Sequence, residues 1–291
     1  MQGEKLTRPS VVAGLLERHG IRPRKRFGQN FLIDENILGK ITAAAELSPG
    51  DRVLEVGPGL GTLTAALAAQ AGEVVAVEID RDLFVILQET VGGLPNVRLI
   101  QGDILDLSVE TLWPDPQAPY KLVANLPYYI TTPVLFKFLL ADRPWRRMVF
   151  MVQREVADRF VAAPGTKAYG ALSVLVRLSA EAELVTSVPR TAFYPAPEVG
   201  SAVVALRSRA ALLPPGVSRT FFFGVVRAGF AHRRKTLSNS LSGAGYPAAA
   251  VAEALEAAGI DGRRRGETLS LEEYLALAHG LAGRVLSPSG V

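Results

Sequence analysis

Short apolar runs recur along the first half of the chain: RVLEV (52–56), EVVAVEI (73–79), VRLI (97–100), KLVA (121–124) and RMVFMVQ (147–153). Each is too short for a helix and lacks the alternation of a sheet with one wet face, so the pattern predicts strands buried on both sides. Stretches with helical spacing, such as LTAALAAQ (63–70) and PVLFKFLLA (133–141), lie between them. Alternating strands and helices predict a parallel, doubly wound sheet. Two further stretches, 171–188 and 201–207, read as β-rich and are expected to finish the sheet as antiparallel strands at one edge. Beyond residues 211–216 the spacing turns helical throughout, in 218–230, 247–259 and 269–283, with glycine stops. The expectation is an α/β domain over 1–208, opened by a leader (1–30) with one helix ending at Gly20, and a smaller all-helical domain over 209–291.

Composition adds little to this picture until the charges are located. Apolar residues make up 48% and charged residues 21%, a globular balance. The net charge of +4 is modest, but cations cluster in RPRKR (22–26), HRRK (232–235) and GRRRG (262–266). Clustering of this kind points to a polyanionic partner. Cysteine is absent and the three histidines, His19, His232 and His279, lack ligand spacing, so no metal is expected. No signal-like segment and no run near the ~20 apolar residues of a membrane span is visible, which predicts a cytoplasmic protein.

The stretch VLEVGPGLGTLTAALA (53–68) is a strand, a glycine turn and a helix in succession. Gly57, Gly59 and Gly61 leave the turn without side chains, so a ligand can approach the unpaired N–H groups at the helix start. Glu78 closes the next strand 21 residues after Gly57. That is close to the ~20 residues at which an acid holds ribose hydroxyls. The spacing is G-x-G-x-G, with Glu55 just before it, and resembles class I methyltransferases, which bind S-adenosylmethionine. Asp103, in QGDIL (101–105), follows the third strand, where that fold meets the adenine of the cofactor.

The fourth strand runs into ANLPYYITTP (124–133). An amide at this edge suits an exocyclic adenine amine, a poor nucleophile whose two N–H groups seek acceptors. The Asn125 oxygen can take one, and a backbone carbonyl of Leu126 or Pro127 the other, leaving the nitrogen lone pair aimed at a methyl donor. Pro127 supplies rigidity and no competing donor. Tyr128 offers a ring face, and stacking on an aromatic contributes ~1–3 kcal/mol per base.

These motifs together resemble the ribosomal RNA adenine N6-dimethyltransferases. The likeness runs through RFGQNFL (26–32), EVGPGLGTLT (55–64), VEID (77–80), GDIL (102–105), NLPYYI (125–130), VQREVADR (152–159), FYPAPEVGSAVV (193–204) and RRKTLSNSL (233–241). It implies a Rossmann-like class I methyltransferase domain. It also implies that Gln29, Asn30, Leu32, Gly57, Gly59, Gly61, Glu78, Ile79, Asp103, Ile104 and Asn125 meet S-adenosylmethionine. Asn125, Leu126, Pro127 and Tyr128 would serve the target adenine, with Phe193 bracketing it from the other side. Arg22, Arg24, Lys25, Arg233, Arg234, Lys235 and Arg264 would grip RNA. NLPYYI and RRKTLSNSL are nearer the small-subunit branch, which dimethylates two adjacent adenosines in the 3′-terminal hairpin loop of 16S rRNA. The expected partner is that RNA in an assembling small subunit, met by a monomer. The alternative is the large-subunit, macrolide-resistance branch. An oxidoreductase would explain the glycine turn and Glu78 but leaves NLPYY unused, and a non-catalytic RNA-binding protein leaves Asn125 unused.

Overall fold

The computed structural model describes residues 5–24, 28–112, 118–141, 144–210, 213–232 and 234–285. In chain order the elements are α1 (Pro9–Arg18), β1 (Phe31–Leu32), α2 (Glu35–Ala45), β2 (Arg52–Val56), α3 (Thr62–Ala68), β3 (Glu73–Glu78), α4 (Arg81–Val91), β4 (Val97–Gln101), α5 (Val109–Leu112), β5 (Tyr120–Asn125), α6 (Thr131–Leu140), β6 (Trp145–Gln153), α7 (Arg154–Val161), α8 (Ala171–Ser179), β7 (Ala180–Val188), β8 (Phe193–Tyr194), β9 (Ser201–Ser208), α9 (Arg219–Phe230), α10 (Leu237–Gly243), α11 (Ala248–Ala257) and α12 (Leu271–Val285). The chain divides into two compact units, Met1–Ala157 with Ala182–Ser208, and Asp158–Glu181 with Arg209–Val291.

The first unit is built on a seven-stranded sheet in the order β4-β3-β2-β5-β6-β9-β7. All five predicted strands are present, and β2 pairs in parallel with both β3 and β5. Strand order reverses between β2 and β5, since β3 and β4 extend one way and β5 and β6 the other. In such sheets ligands bind beyond the carboxyl ends of the strands at that switch point. β9 runs antiparallel to β6, as expected. On one face Val53, Val74, Val123 and Val149 pack against Ile37, Ile41, Leu63 and Leu67 of α2 and α3. Helix α1 buries Val12, Leu15 and Leu16 with Leu83 and Ile86 of α4. Asp34 and Asp80 start α2 and α4 by accepting from the second and third N–H groups beyond them.

Two expectations needed correction. Residues 171–179 form α8 and not a strand, so only the second half of 171–188 joins the sheet. Leu172, Val174, Val176 and Leu178 alternate as in a strand, and that alternation hides the helical spacing that puts Ser173 and the part-buried Arg177 on one face. The Ser173 hydroxyl accepts from Gly170 N–H at the helix start. The organisation also differs from a single cut at 208, because Asp158–Glu181 belongs with the helical unit. That unit packs Leu175, Phe222, Val226, Leu241, Val251, Leu277 and Leu281, with Phe230 stacked on Tyr274 at 5.8 Å. Among the described residues no helix is long and apolar enough to cross a membrane.

At the amino end of the sheet, Lys121 of β5 meets Asp51, just before β2, at 3.0 Å, and both side chains are under 10% exposed. Ser48 donates to the same carboxylate through its N–H and its hydroxyl, at 2.7 and 2.8 Å. Burial pushes the Asp51 pKa up, but these bonds outweigh it and hold the group below its ordinary value of 3.8. Its contribution to stability is therefore complete above that value and is lost as pH falls through the lower folded one. Asp51→Ala strands a buried ammonium and is expected to cost about 3–5 kcal/mol in denaturant unfolding. Asp51→Leu with Lys121→Met is expected to cost less than either single truncation; a larger loss would show that the pair itself stabilises the sheet.

Candidate active site

One pocket in the first unit gathers the carboxyl ends of β2, β3, β4 and β5 and the leader before β1. Gln29, Asn30, Leu32, Gly57, Gly59, Glu78, Ile79, Asp103, Ile104 and Asn125 all line it, as do Leu126, Pro127, Tyr128 and Phe193. Gly61 does not. It caps α3 with φ 90°, and a Cβ there would meet Val91 Cγ1 at 2.9 Å, so this glycine serves helix packing. Gly57 takes φ 68° and faces Pro127, whose Cδ lies 3.4 Å from where a Cβ would stand. The glycine turn and the NLPYY segment are thus in direct apposition.

Glu78 is 4% exposed. Its carboxylate accepts from Gly59 N–H at 3.0 Å and from Asp80 N–H at 2.9 Å. Burial nevertheless holds its pKa above the usual carboxylate range. Glu55, which sequence reasoning noted only as part of the turn, is 1% exposed and lines the same pocket. Burial and then the Glu78 charge push it up to about 8, while the Thr64 hydroxyl beside it pulls the other way without meeting hydrogen-bond geometry. The Glu55 Oε2 atom has no hydrogen-bond partner. A buried oxygen without a partner suits a ligand that can pair it, whereas the N–H groups of Gly57, Gly59 and Gly61 are already taken by the Val77 carbonyl, Glu78 and the Pro58 carbonyl. A cationic sulfonium methyl donor fits these residues.

At the β5 end, Asn125 Nδ2 donates to the Asn30 carbonyl at 3.3 Å. The Pro127 carbonyl accepts from Ile130 N–H and the Thr131 hydroxyl, at 3.2 and 3.1 Å, so both its lone pairs are engaged. Of the two carbonyls considered as second acceptor, Leu126 is the one left open. Tyr128 shares a hydrogen bond of 2.7 Å with Ser201 of β9, and burial raises its pKa against that bond. Phe193 is 4% exposed and pairs with Leu32 across the two-stranded β1–β8 sheet. Ser201 and Asp80 were not foreseen. Asp80 sits in the quoted VEID, yet its partners Arg24 and Gln29 are over 50 residues away, and nothing local signals them.

The basic residues separate into two groups. Arg22, Arg234 and Lys235 are exposed and have no acidic partner among the described residues. Arg24 is bound to Asp80 and Asp82, and Arg264 is paired with Glu273 and donates to the Thr268 carbonyl. Lys25 and Arg233 lie outside the described residues. No cluster of metal-ligating side chains occurs among the described residues.

Comparison with known proteins agrees with this geometry. A family model described as ribosomal RNA adenine dimethylase matches residues 20–282. The chain is 48% identical to ribosomal RNA small subunit methyltransferase A of Moorella thermoacetica, over 96% of this chain and 99% of that one. It is 51% identical to the protein of the same name from Pelotomaculum thermopropionicum, over 93% and 95%. Among solved structures, a dimethyladenosine transferase from Plasmodium falciparum superposes with a TM-score of 0.71 at 26% identity, covering 85% of this chain and 95% of that one. The 23S rRNA methyltransferase ErmE superposes at 0.64 with 33% identity, covering 87% and 99%. With residues 20–282 matched by that model, the chain belongs to the ribosomal RNA adenine dimethylase family.

Proposed function

We propose that the protein transfers methyl groups from S-adenosylmethionine to the N6 amines of two adjacent adenosines in the 3′-terminal hairpin loop of 16S rRNA, within an assembling small subunit. The apposition of Gly57 and Pro127 carries this reading, because it sets the cofactor turn against the amide segment in one pocket. The identities of 48% and 51% to small-subunit enzymes, against 33% to ErmE, favour this branch over the large-subunit one. As a sulfonium, the cofactor supplies an electrophilic methyl group. Glu78 binds ribose hydroxyls, Asp103 faces the adenine, and Glu55 offers its unpartnered oxygen in the same pocket. Asn125 Oδ1 and the Leu126 carbonyl take the two N–H groups of the target amine, so that its lone pair points away from the ring plane. Tyr128 stacks on the base, held upright by Ser201. The base leaves its stack to reach them. A cytoplasmic location and a monomeric state accompany this reading. The decisive experiment supplies unmethylated ribosomal subunits and labelled methyl donor. Label in the small subunit, recovered as N6,N6-dimethyladenosine, is expected; label in the large subunit alone would overturn the assignment.

Asn125→Ala is expected to leave cofactor affinity within a few-fold and to lower the single-turnover rate by roughly 100-fold, since the amide acts on the amine. Glu78→Ala is expected to do the reverse, weakening cofactor binding in calorimetry by about 10-fold or more through loss of a charge-assisted acceptor.

Tyr128→Ala is expected to slow both methylations, the second more, so that N6-methyladenosine accumulates. The second transfer has lost one N–H donor and leans on stacking. Tyr128→Phe keeps the ring and loses only the Ser201 bond, so it should be mild. Nucleoside mass spectrometry decides this, and equal loss of both products in the Ala variant would remove stacking as the ring's main role.

Phosphate contact is assigned to Arg22, Arg234 and Lys235, where cations are unpaired, while Arg264 braces the turn before α12. Changing Arg234 and Lys235 together to Ala is expected to reduce the salt slope of RNA binding by about 1.5–2. Arg264→Ala is expected to lower Tm and leave that slope unchanged; a reduced slope would return Arg264 to the RNA-binding set.

A further inference from the structure

An asparagine amide has opposite chemistry at its two ends, and a half-turn about its last torsion exchanges acceptor for donor. The proposed reaction needs the oxygen of Asn125 towards the target amine. The leader makes that choice: Nδ2 is drawn to the Asn30 carbonyl, and no described residue donates to Oδ1.

The Asn30 carbonyl is itself held from both sides. Downstream, Phe31 and Leu32 pair with Tyr194 and Phe193, and Ile33 N–H donates to the Ala192 carbonyl at 2.9 Å. The Phe31 ring lies against Gly59, 3.3 Å from where a Cβ would stand. Upstream, Gln29 Nε2 donates to Asp80 Oδ2 at 2.8 Å, and Gln29 Oε1 accepts from Arg24 N–H at 2.8 Å. The Arg24 guanidinium reaches Asp80 at 3.2 Å and Asp82 at 2.5 Å. The Asp80 side chain is 4% exposed, and its other oxygen caps α4, so it cannot follow the leader if the leader moves. Asp82 is half-exposed and accessible to substitution without disturbing the core.

We infer that Arg24, Gln29, Asp80 and Asp82 are positioning residues for methyl transfer. Their clasp holds the Asn30 carbonyl in the place that turns the Asn125 oxygen towards the substrate. The inference rests on the role proposed above for Asn125. It also separates Arg24 from the phosphate-binding set, since a guanidinium shared by two carboxylates is already neutralised.

Single-turnover methylation at saturating cofactor and RNA tests this with Gln29→Ala, Asp82→Ala, Asn125→Ala and the Gln29→Ala/Asn125→Ala double variant, with Tm confirming that each is folded. Gln29→Ala is expected to slow transfer by about 10- to 100-fold, the scale on which small misplacements act. Asp82→Ala should slow it several-fold with no loss of RNA affinity, a result that phosphate binding by Arg24 cannot produce. In the Asn125→Ala background Gln29→Ala should cost less than about twofold, because the amide it serves is gone. Full additivity there, or a native rate for Gln29→Ala or Asp82→Ala, would overturn the inference while leaving the role of Asn125 intact. A near-native rate for Asn125→Ala alone would overturn both.

Discussion

The cofactor end of the pocket hangs from one buried carboxylate. Glu78 takes the N–H of Gly59 and the N–H of Asp80, so the glycine turn after β2 and the start of α4 are both fixed to the end of β3. Burying an acid is costly unless donors meet it, and here two backbone donors do so before any ligand arrives. The turn is therefore preformed, and its shape does not wait on the cofactor. Glu55 stands in contrast: one oxygen has no donor at all, so the same pocket combines a satisfied acid with an unsatisfied one.

Topology does the rest. β2 and β5 are neighbours only because the strand order reverses between them, and that adjacency brings the glycine turn to Pro127 and the cofactor edge to Asn125. The same two strands are joined at their opposite ends by Lys121 and Asp51. Their register is carried by the parallel pairing of Val53, Leu54 and Glu55 with Lys121, Leu122 and Val123.

Most of this was legible because it is local in sequence. The strands announced themselves as short apolar runs, the glycine turn and Asn125 each sat directly after one, and the sheet brought those ends together without further instruction. Gly61 lies outside the pocket lining and packs against Val91, and a glycine required by helix packing and one required by a ligand look alike in sequence. Helix α8 was misread because the alternation of Leu172, Val174, Val176 and Leu178 fits a strand as well as a helix. Ser201 beside Tyr128, Asp80 beside Arg24, and the pairing of Arg264 with Glu273 depend on tertiary neighbours, which spacing alone does not encode. The three basic clusters looked equivalent as composition, and only their acidic partners separate the paired cations from the unpaired ones.

The helical unit is drawn from two distant pieces of chain, and this bears on how the protein is made. Tyr169 donates to the Leu269 carbonyl across 100 residues of sequence, Gly165 N–H donates to the Glu267 carbonyl, and α8 packs against α9 and α12, which follow it in the chain. On a translating ribosome, at roughly 5–20 residues per second, α8 waits about 5–20 s for the last of these partners. During that interval Leu172, Val174, Leu175, Val176 and Leu178 have nowhere permanent to go, although all are buried in the finished protein. The nascent chain is therefore open to aggregation and chaperone capture at α8 until its later partners emerge.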